Sequence, residues 1–128
     1  VRLGYTFDTD RTGGGSPSVA TPGVQTNADW DYHAHRLSVG LGVPDFWTLK
    51  SNFAFDYYHL DYDNPNSFSA DGTTKRRDKI MFFTATIARP LTDWLSIAAE
   101  YNYTRDESNL PVFNYARNIF SLTLSSRF

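Results

Sequence analysis

His33 and His35 stand two residues apart, a spacing that puts both imidazoles on one face of a strand. With Asp31 or His59 they offer the nitrogen and oxygen donors that Zn or Cu would take. Two imidazoles are a poor start on a closed tetrahedral site, so the expected role is a pair of solvated positions, with no metal and no cofactor. Asp61, Asp63, Asn64, Asn66 and Asp71 gather acidic and amide oxygens in one stretch, the donor chemistry of Ca2+. A helix-loop-helix Ca2+ loop would need Gly at its sixth position and Glu at its twelfth, and neither is present. Lys75, Arg76, Arg77 and Lys79 form a basic cluster suited to phosphate oxygens, or else a charged segment that simply stays solvated. For catalysis nothing is assembled. There is no Gly-x-Ser-x-Gly elbow and no phosphate cradle, and Gly13-Gly14-Gly15-Ser16 reads as a loop tip because no helix follows it. An enzyme is not expected.

The elements that must position these residues follow a period of two. Phe120, Leu122 and Leu124 alternate with Ser121, Thr123 and Ser125; Leu37, Val39 and Leu41 alternate with Arg36, Ser38, Gly40 and Gly42. Phe53 and Phe55 oppose Asn52, Ala54 and Asp56, and Leu3, Tyr5 and Phe7 oppose Arg2, Gly4, Thr6 and Asp8. The pattern is least clean from Ile80 to Ala88, where both parities carry apolar residues. Six strands are predicted, over 1–8, 31–43, 46–61, 78–89, 94–105 and 115–128. Short turns at Val43-Pro44-Asp45 and Arg89-Pro90-Leu91-Thr92-Asp93 alternate with long polar loops at 9–30, 62–77 and 106–114. All tight turns therefore lie at one end of the sheet and all long loops at the other.

Composition narrows the setting. The chain has 128 residues, 12 Lys and Arg against 14 Asp and Glu, no Cys, and 16% aromatic residues. A near-neutral balance argues against a protein built to grip nucleic acid, and no apolar run is long enough for a spanning helix. Strands of about 11 residues suit a tilted hydrocarbon span. Aromatic residues gather at the strand ends: Phe46, Trp47, Trp94 and Phe128 by the short turns, and Tyr5, Phe7, Trp30, Tyr32, Tyr57, Tyr58, Tyr62, Tyr101, Tyr103, Phe113 and Tyr115 toward the long loops. Two such girdles around a Leu, Val, Ile and Phe band fit two lipid–water interfaces.

The ending Phe120-Ser-Leu-Thr-Leu-Ser-Ser-Arg-Phe128 resembles the C-terminal assembly signal of Gram-negative outer-membrane β-barrels, carried by Phe120, Leu122, Leu124 and the terminal Phe128. The stretches Tyr101–Pro111 and Tyr115–Asn118 resemble the last hairpin of bacterial barrels, including porin-like and exopolysaccharide-export proteins. The resemblance implies a bacterial outer-membrane location, insertion by the barrel assembly machinery, a periplasmic C-terminus and external long loops. Beyond the outer leaflet, Lys75, Arg76, Arg77 and Lys79 would then meet lipopolysaccharide phosphates.

The expected fold is all-β, an antiparallel up-and-down transmembrane β-barrel segment over residues 1–128. Six strands are too few for a lumen-bearing barrel, for which about eight is the minimum. Strands from the rest of the protein, or from other subunits, are expected to complete it, with preceding strands favoured because Val1 falls inside a strand. Leu37, Val39, Leu41, Phe53, Phe55, Leu122 and Leu124 are expected to face lipid. Arg2, Asp8, Arg36, Lys50, Asp56, Glu100, Arg117 and Arg127 are expected to line a water-filled lumen, with Glu100 pairing to Arg117 or its neighbours. The function expected is the wall of a pore for polar solutes or an exported polysaccharide. The alternatives are a lumen-blocked barrel serving as anchor or adhesin, and a soluble β-barrel with an apolar ligand inside.

Overall fold

The computed structural model describes residues 1–11, 19–46 and 48–127, with the backbone alone for 44–46. Six strands form one sheet: β1 (Arg2–Asp10), β2 (Tyr32–Phe46), β3 (Leu49–Pro65), β4 (Lys75–Pro90), β5 (Leu95–Ser108) and β6 (Tyr115–Ser126). Each pairs antiparallel with its neighbour in chain order. β1 and β6 lie at opposite ends of that order, so among the described residues the sheet is an open, up-and-down partial barrel. Two 3-10 turns, Asn27–Trp30 and Pro111–Phe113, sit in the long connections.

The strands run past their predicted ends on the long-loop side. β3 reaches Pro65, β4 begins at Lys75 and β5 reaches Ser108. At ~3.4 Å per residue, a strand the length of β3 extends roughly 55 Å, far more than an apolar band of about 25 Å requires even when tilted. The polar sequence that reads as loop continues the ladder because its residues find cross-strand partners, Arg77 opposite Asp61 with an ion pair between them, Lys75 opposite Pro65 and Glu107 opposite Lys79. At the other end, Pro44 is not the turn. β2 continues through it to Phe46, with a register shift between Val43 and Phe46. A bulge is where a strand tolerates a residue that has no N–H to give to the ladder.

Register sorts the side chains into two faces. Leu37, Val39 and Leu41 stand opposite Tyr57, Phe55 and Phe53; Phe55 and Phe53 stand opposite Phe83 and Ala85; Tyr101, Ala99 and Ile97 stand opposite Phe120, Leu122 and Leu124. The seven residues expected to meet lipid thus share one face, and none of the described residues covers it: Leu37 is 50% exposed, Leu122 74% and Phe120 79%. The chain's own core lies on the opposite face, where Ala34, Leu60 and Tyr62 are buried with Tyr32, Tyr58 and Ile80 packed against them. The mixed pattern of β4 follows from this, since Ile80 and Phe82 belong to the core-bearing face while Met81, Phe83 and Ala85 belong to the other. A soluble barrel would bury the Leu and Phe face; here that face is the exposed one.

Candidate conduit wall and its cap

The eight charged residues expected to line a lumen all take the face opposite the apolar one. Arg2 pairs in register with Gly40, Asp8 with Ala34, Arg36 with Thr6 and Tyr58, Asp56 with Ser38, Lys50 with Ala88, Glu100 with Thr86 and Ser121, and Arg117 with Thr104. Arg127 follows the β6 ladder, its N–H donating to the Trp94 carbonyl at 2.8 Å. Small and hydroxylated neighbours leave these charges room to reach water or one another. Arg36 donates twice to Asp56 Oδ1, at 2.9 and 2.8 Å, and Ser38 donates to the same oxygen at 2.6 Å. Glu100 differs from expectation. It stands opposite Ser121 and accepts from Asn102 Nδ2 at 2.6 Å, while Arg117 lies four residues further along β6, out of line for an ion pair. Above the Arg36 pair, Tyr32, Tyr58, Leu60 and Phe82 help to line a groove of about 400 Å3 on this otherwise polar face.

The long-loop end of the same face carries a cap built from three long connections. Residues 19–31 and 66–74 are joined by Ala20 N–H to Gly72 O at 2.7 Å, Gly23 N–H to Ser67 O at 2.9 Å and Ser67 Oγ to Asp29 Oδ2 at 2.5 Å. Asn64 Nδ2 donates to the Ala28 carbonyl at 3.0 Å, tying the cap to β3. Gly72 permits the closest approach: its φ is +64, and a Cβ there would stand 2.5 Å from the Ala20 carbonyl oxygen. Phe68 meets Phe113 edge to face at 5.3 Å between ring centroids, bringing in the third connection.

Arg76 pins the cap. Its guanidinium carbon stands 3.5 Å from the Phe113 ring centroid, 4.6 Å from Tyr62 and 5.9 Å from Trp30, and its Nη2 stands 2.5 Å from Asp78 Oδ2. Asp78 is fully buried, and Asp106 is 5% exposed. The apolar band of the other face covers residues 37–43, 53–57, 81–87, 97–103 and 120–124, so this charged centre lies beyond it. Burial, and then the neighbouring Asp78 charge, push the Asp106 carboxyl up to about 6; burial pushes the Tyr62 phenol up to about 12.

Other sequence-derived groups disperse. The aromatic residues expected in one outer girdle divide between the faces: Tyr5, Phe7, Tyr57, Tyr101 and Tyr103 stay with the apolar face, whereas Tyr32, Tyr58, Tyr62 and Tyr115 take the other, and Trp30 and Phe113 join the cap. Each His has its own partner, His33 Nδ1 with Asp63 at 3.1 Å, His35 Nδ1 with the Tyr5 hydroxyl at 2.7 Å and His59 Nε2 with Asp61 at 3.2 Å. The five oxygen-bearing residues likewise do not converge. Asp61 holds Arg77, Asn64 reaches the cap, Asn66 Oδ1 accepts from Phe68 N–H, and Asp71 accepts from Thr73 and Thr74, whose hydrogen bonds hold its carboxyl far below the usual range. Strand alternation puts Asn64 on the face opposite Asp61 and Asp63, and Asn66 and Asp71 lie beyond the end of β3 in the connection to β4. Alternation also splits the basic cluster: Lys75, Arg77 and Lys79 are exposed on the apolar side, and Arg76 is turned inward. Trp47, the side chain of Phe46, the Gly13–Ser16 tip and Phe128 of the expected assembly signal lie outside the described residues.

The sequence reading missed Arg76, Asp78 and Asp106 as a unit. The available signal was parity, because 76 and 78 alternate with 75, 77 and 79 just as core alternates with surface elsewhere. Among known proteins, the family model described as surface lipoprotein assembly modifier matches residues 13–128. No curated protein and no solved structure matches the chain.

Proposed function

The chain belongs to the surface lipoprotein assembly modifier family, and from that membership together with the two-faced sheet we propose that it is a wall of an outer-membrane β-barrel through which surface lipoproteins are assembled. One face excludes lipid from the conduit, and the other offers hydrated charge and hydroxyl groups to a passing polypeptide. The family description favours a lipoprotein over a polysaccharide as the cargo. No bond is made or broken by this wall; its contribution is position and electrostatics. Further strands complete the barrel, and Phe120, Leu122 and Leu124, with Phe128, serve the barrel assembly machinery as its signal.

The observation that carries the reading is the apolar face shared by β1 to β6 and uncovered among the described residues, an exposed patch of the kind that marks a lipid or protein contact. Cysteine scanning of the full-length protein in lipid vesicles tests it. Val39→Cys and Leu122→Cys should resist a water-soluble maleimide, while Ser38→Cys and Ser121→Cys should react with it. Equal reaction at all four positions would remove both lipid and lumen from the assignment. The cap favours a second reading, a barrel closed at its outer end that acts as an anchor. Ion conductance by the full-length protein in a planar bilayer would separate the two.

A further inference from the structure

We infer that the outward side of β4, at Lys75, Arg77 and Lys79, is a docking site for the phosphates of a membrane glycolipid in the outer leaflet. The inference rests on the lipid-facing assignment of the apolar face. These three residues alternate along one strand and project from the same face as Met81 and Phe83, the next two positions toward the apolar band. They therefore stand just outside the hydrocarbon, at the level where headgroup phosphates lie. Two repeats of the strand separate Lys75 from Lys79 by roughly 13 Å between Cα atoms, a span that suits two phosphates carried at the ends of a disaccharide better than a single small headgroup.

The charge balance leaves the site short of anions. Arg77 Nε is held by Asp61 Oδ1 at 3.3 Å, and Arg105, on the same face of β5, holds Glu107 at 2.5 Å. Glu107 stands opposite Lys79 in the ladder, yet Arg105 takes it, and among the described residues neither Lys75 nor Lys79 has a carboxylate within ion-pair distance. Four cations thus stand against Asp61, Glu107 and Asp63 on one exposed surface, and Asp63 is taken by His33. Arg105 was not part of the basic run in the sequence; the β4–β5 register adds it, as the inward turn removes Arg76.

The strand that carries the cations is fixed rather than frayed. Asn109 grips it along one edge, with Oδ1 accepting from Arg77 N–H at 2.7 Å, Nδ2 donating to the Lys75 carbonyl at 2.9 Å and its own N–H donating to the Arg77 carbonyl at 3.1 Å. The result is a cleft of about 440 Å3 lined by His59, Arg77, Lys79, Glu107, Ser108 and Asn109. That volume falls within the about 300–1,000 Å3 of clefts that seat a small molecule, here a phosphorylated sugar. A polyanion meeting a preformed row of cations forms charge-assisted hydrogen bonds without first having to order the strand.

The test uses the full-length protein in nanodiscs that contain either bis-phosphorylated lipid A, its dephosphorylated form or phosphatidylglycerol, with bound lipid counted by native mass spectrometry. The wild type should retain lipid A preferentially, and Lys75→Gln with Lys79→Gln should lower retention about tenfold. Dephosphorylated lipid should not be retained, and excess inorganic phosphate should not displace lipid A. Equal retention of lipid A and phosphatidylglycerol, or retention unchanged in the double variant, would overturn the site. Quenching of Trp94 by brominated lipid in the same discs reports separately on membrane insertion. Loss of lipid retention with quenching intact rejects the docking site alone, whereas loss of quenching rejects the lipid-facing assignment beneath it.

Discussion

Arg76 illustrates how one residue can close a surface that sequence alone reads as open. A guanidinium removed from water must be compensated, and here three aromatic rings and the Asp78 carboxylate offset part of that cost, while its Nε and Nη1 have no hydrogen-bond partner among the described residues. Replacing Arg76 with Met leaves Asp78 buried and unpaired, a loss of about 3–5 kcal/mol by comparison with other broken buried pairs. Hydrogen exchange of the 66–74 amides should accelerate accordingly, and Asp78→Asn added to Arg76→Met should restore much of the protection. Asp106 makes the same centre sensitive to pH. Its folded value, about 6, lies above its ordinary 3.8, so the folded cap binds a proton more tightly than the unfolded chain does. The stabilisation is fully present below 3.8 and is lost as pH rises through about 6. Cap amides, corrected for intrinsic exchange, should be better protected at acid pH than at neutral pH. Asp106→Asn should flatten that dependence; an unchanged profile would place the titrating group elsewhere.

At the scale of strands, the period of two decides which substitutions matter. Leu122 and Thr123 are neighbours in β6 but stand on opposite faces. Leu122→Arg should cost about 2–4 kcal/mol if the apolar face meets hydrocarbon, and Thr123→Arg little. Urea unfolding of the full-length protein in vesicles would measure both, and equal costs would contradict a lipid contact. The connections obey a different constraint, close approach of backbones. Gly72→Ala would combine a left-handed residue with a Cβ at 2.5 Å from the Ala20 carbonyl, so the hydrogen bonds from Ala20 to Gly72 and from Gly23 to Ser67 should weaken together. Faster exchange in both segments 19–26 and 66–74, with β2 and β3 unaffected, is the expected signature. Much of the strand layout was legible beforehand because alternation of apolar and polar residues is a local property. The strand ends at Pro65, Lys75 and Ser108 were not legible, because charged residues extend a ladder only when a cross-strand partner stands opposite, and that partner is far away in sequence.

For the whole molecule, an open six-stranded sheet leaves one face uncovered and two edges unpaired among the described residues. The proposed conduit gives an electrical prediction. Lys50→Glu and Arg117→Glu, on the polar face and outside the Arg36–Asp56 pair, should shift the reversal potential of the full-length barrel toward cation selectivity. No current, or no shift, would favour the capped anchor. By itself the sequence determined the all-β class, the six strands, their alternation of faces and the asymmetry of turns and loops, since each depends on residues close together in the chain. It also separated the seven apolar residues from the eight charged ones, because parity within a strand survives any register that joins whole hairpins. Only the tertiary structure decided that the three long connections form one cap, that Arg76 leaves the basic row while Arg105 joins it, and that the aromatic residues divide between two faces. Those outcomes depend on which strand lies beside which and at what offset, and on burial that no local pattern of residues records.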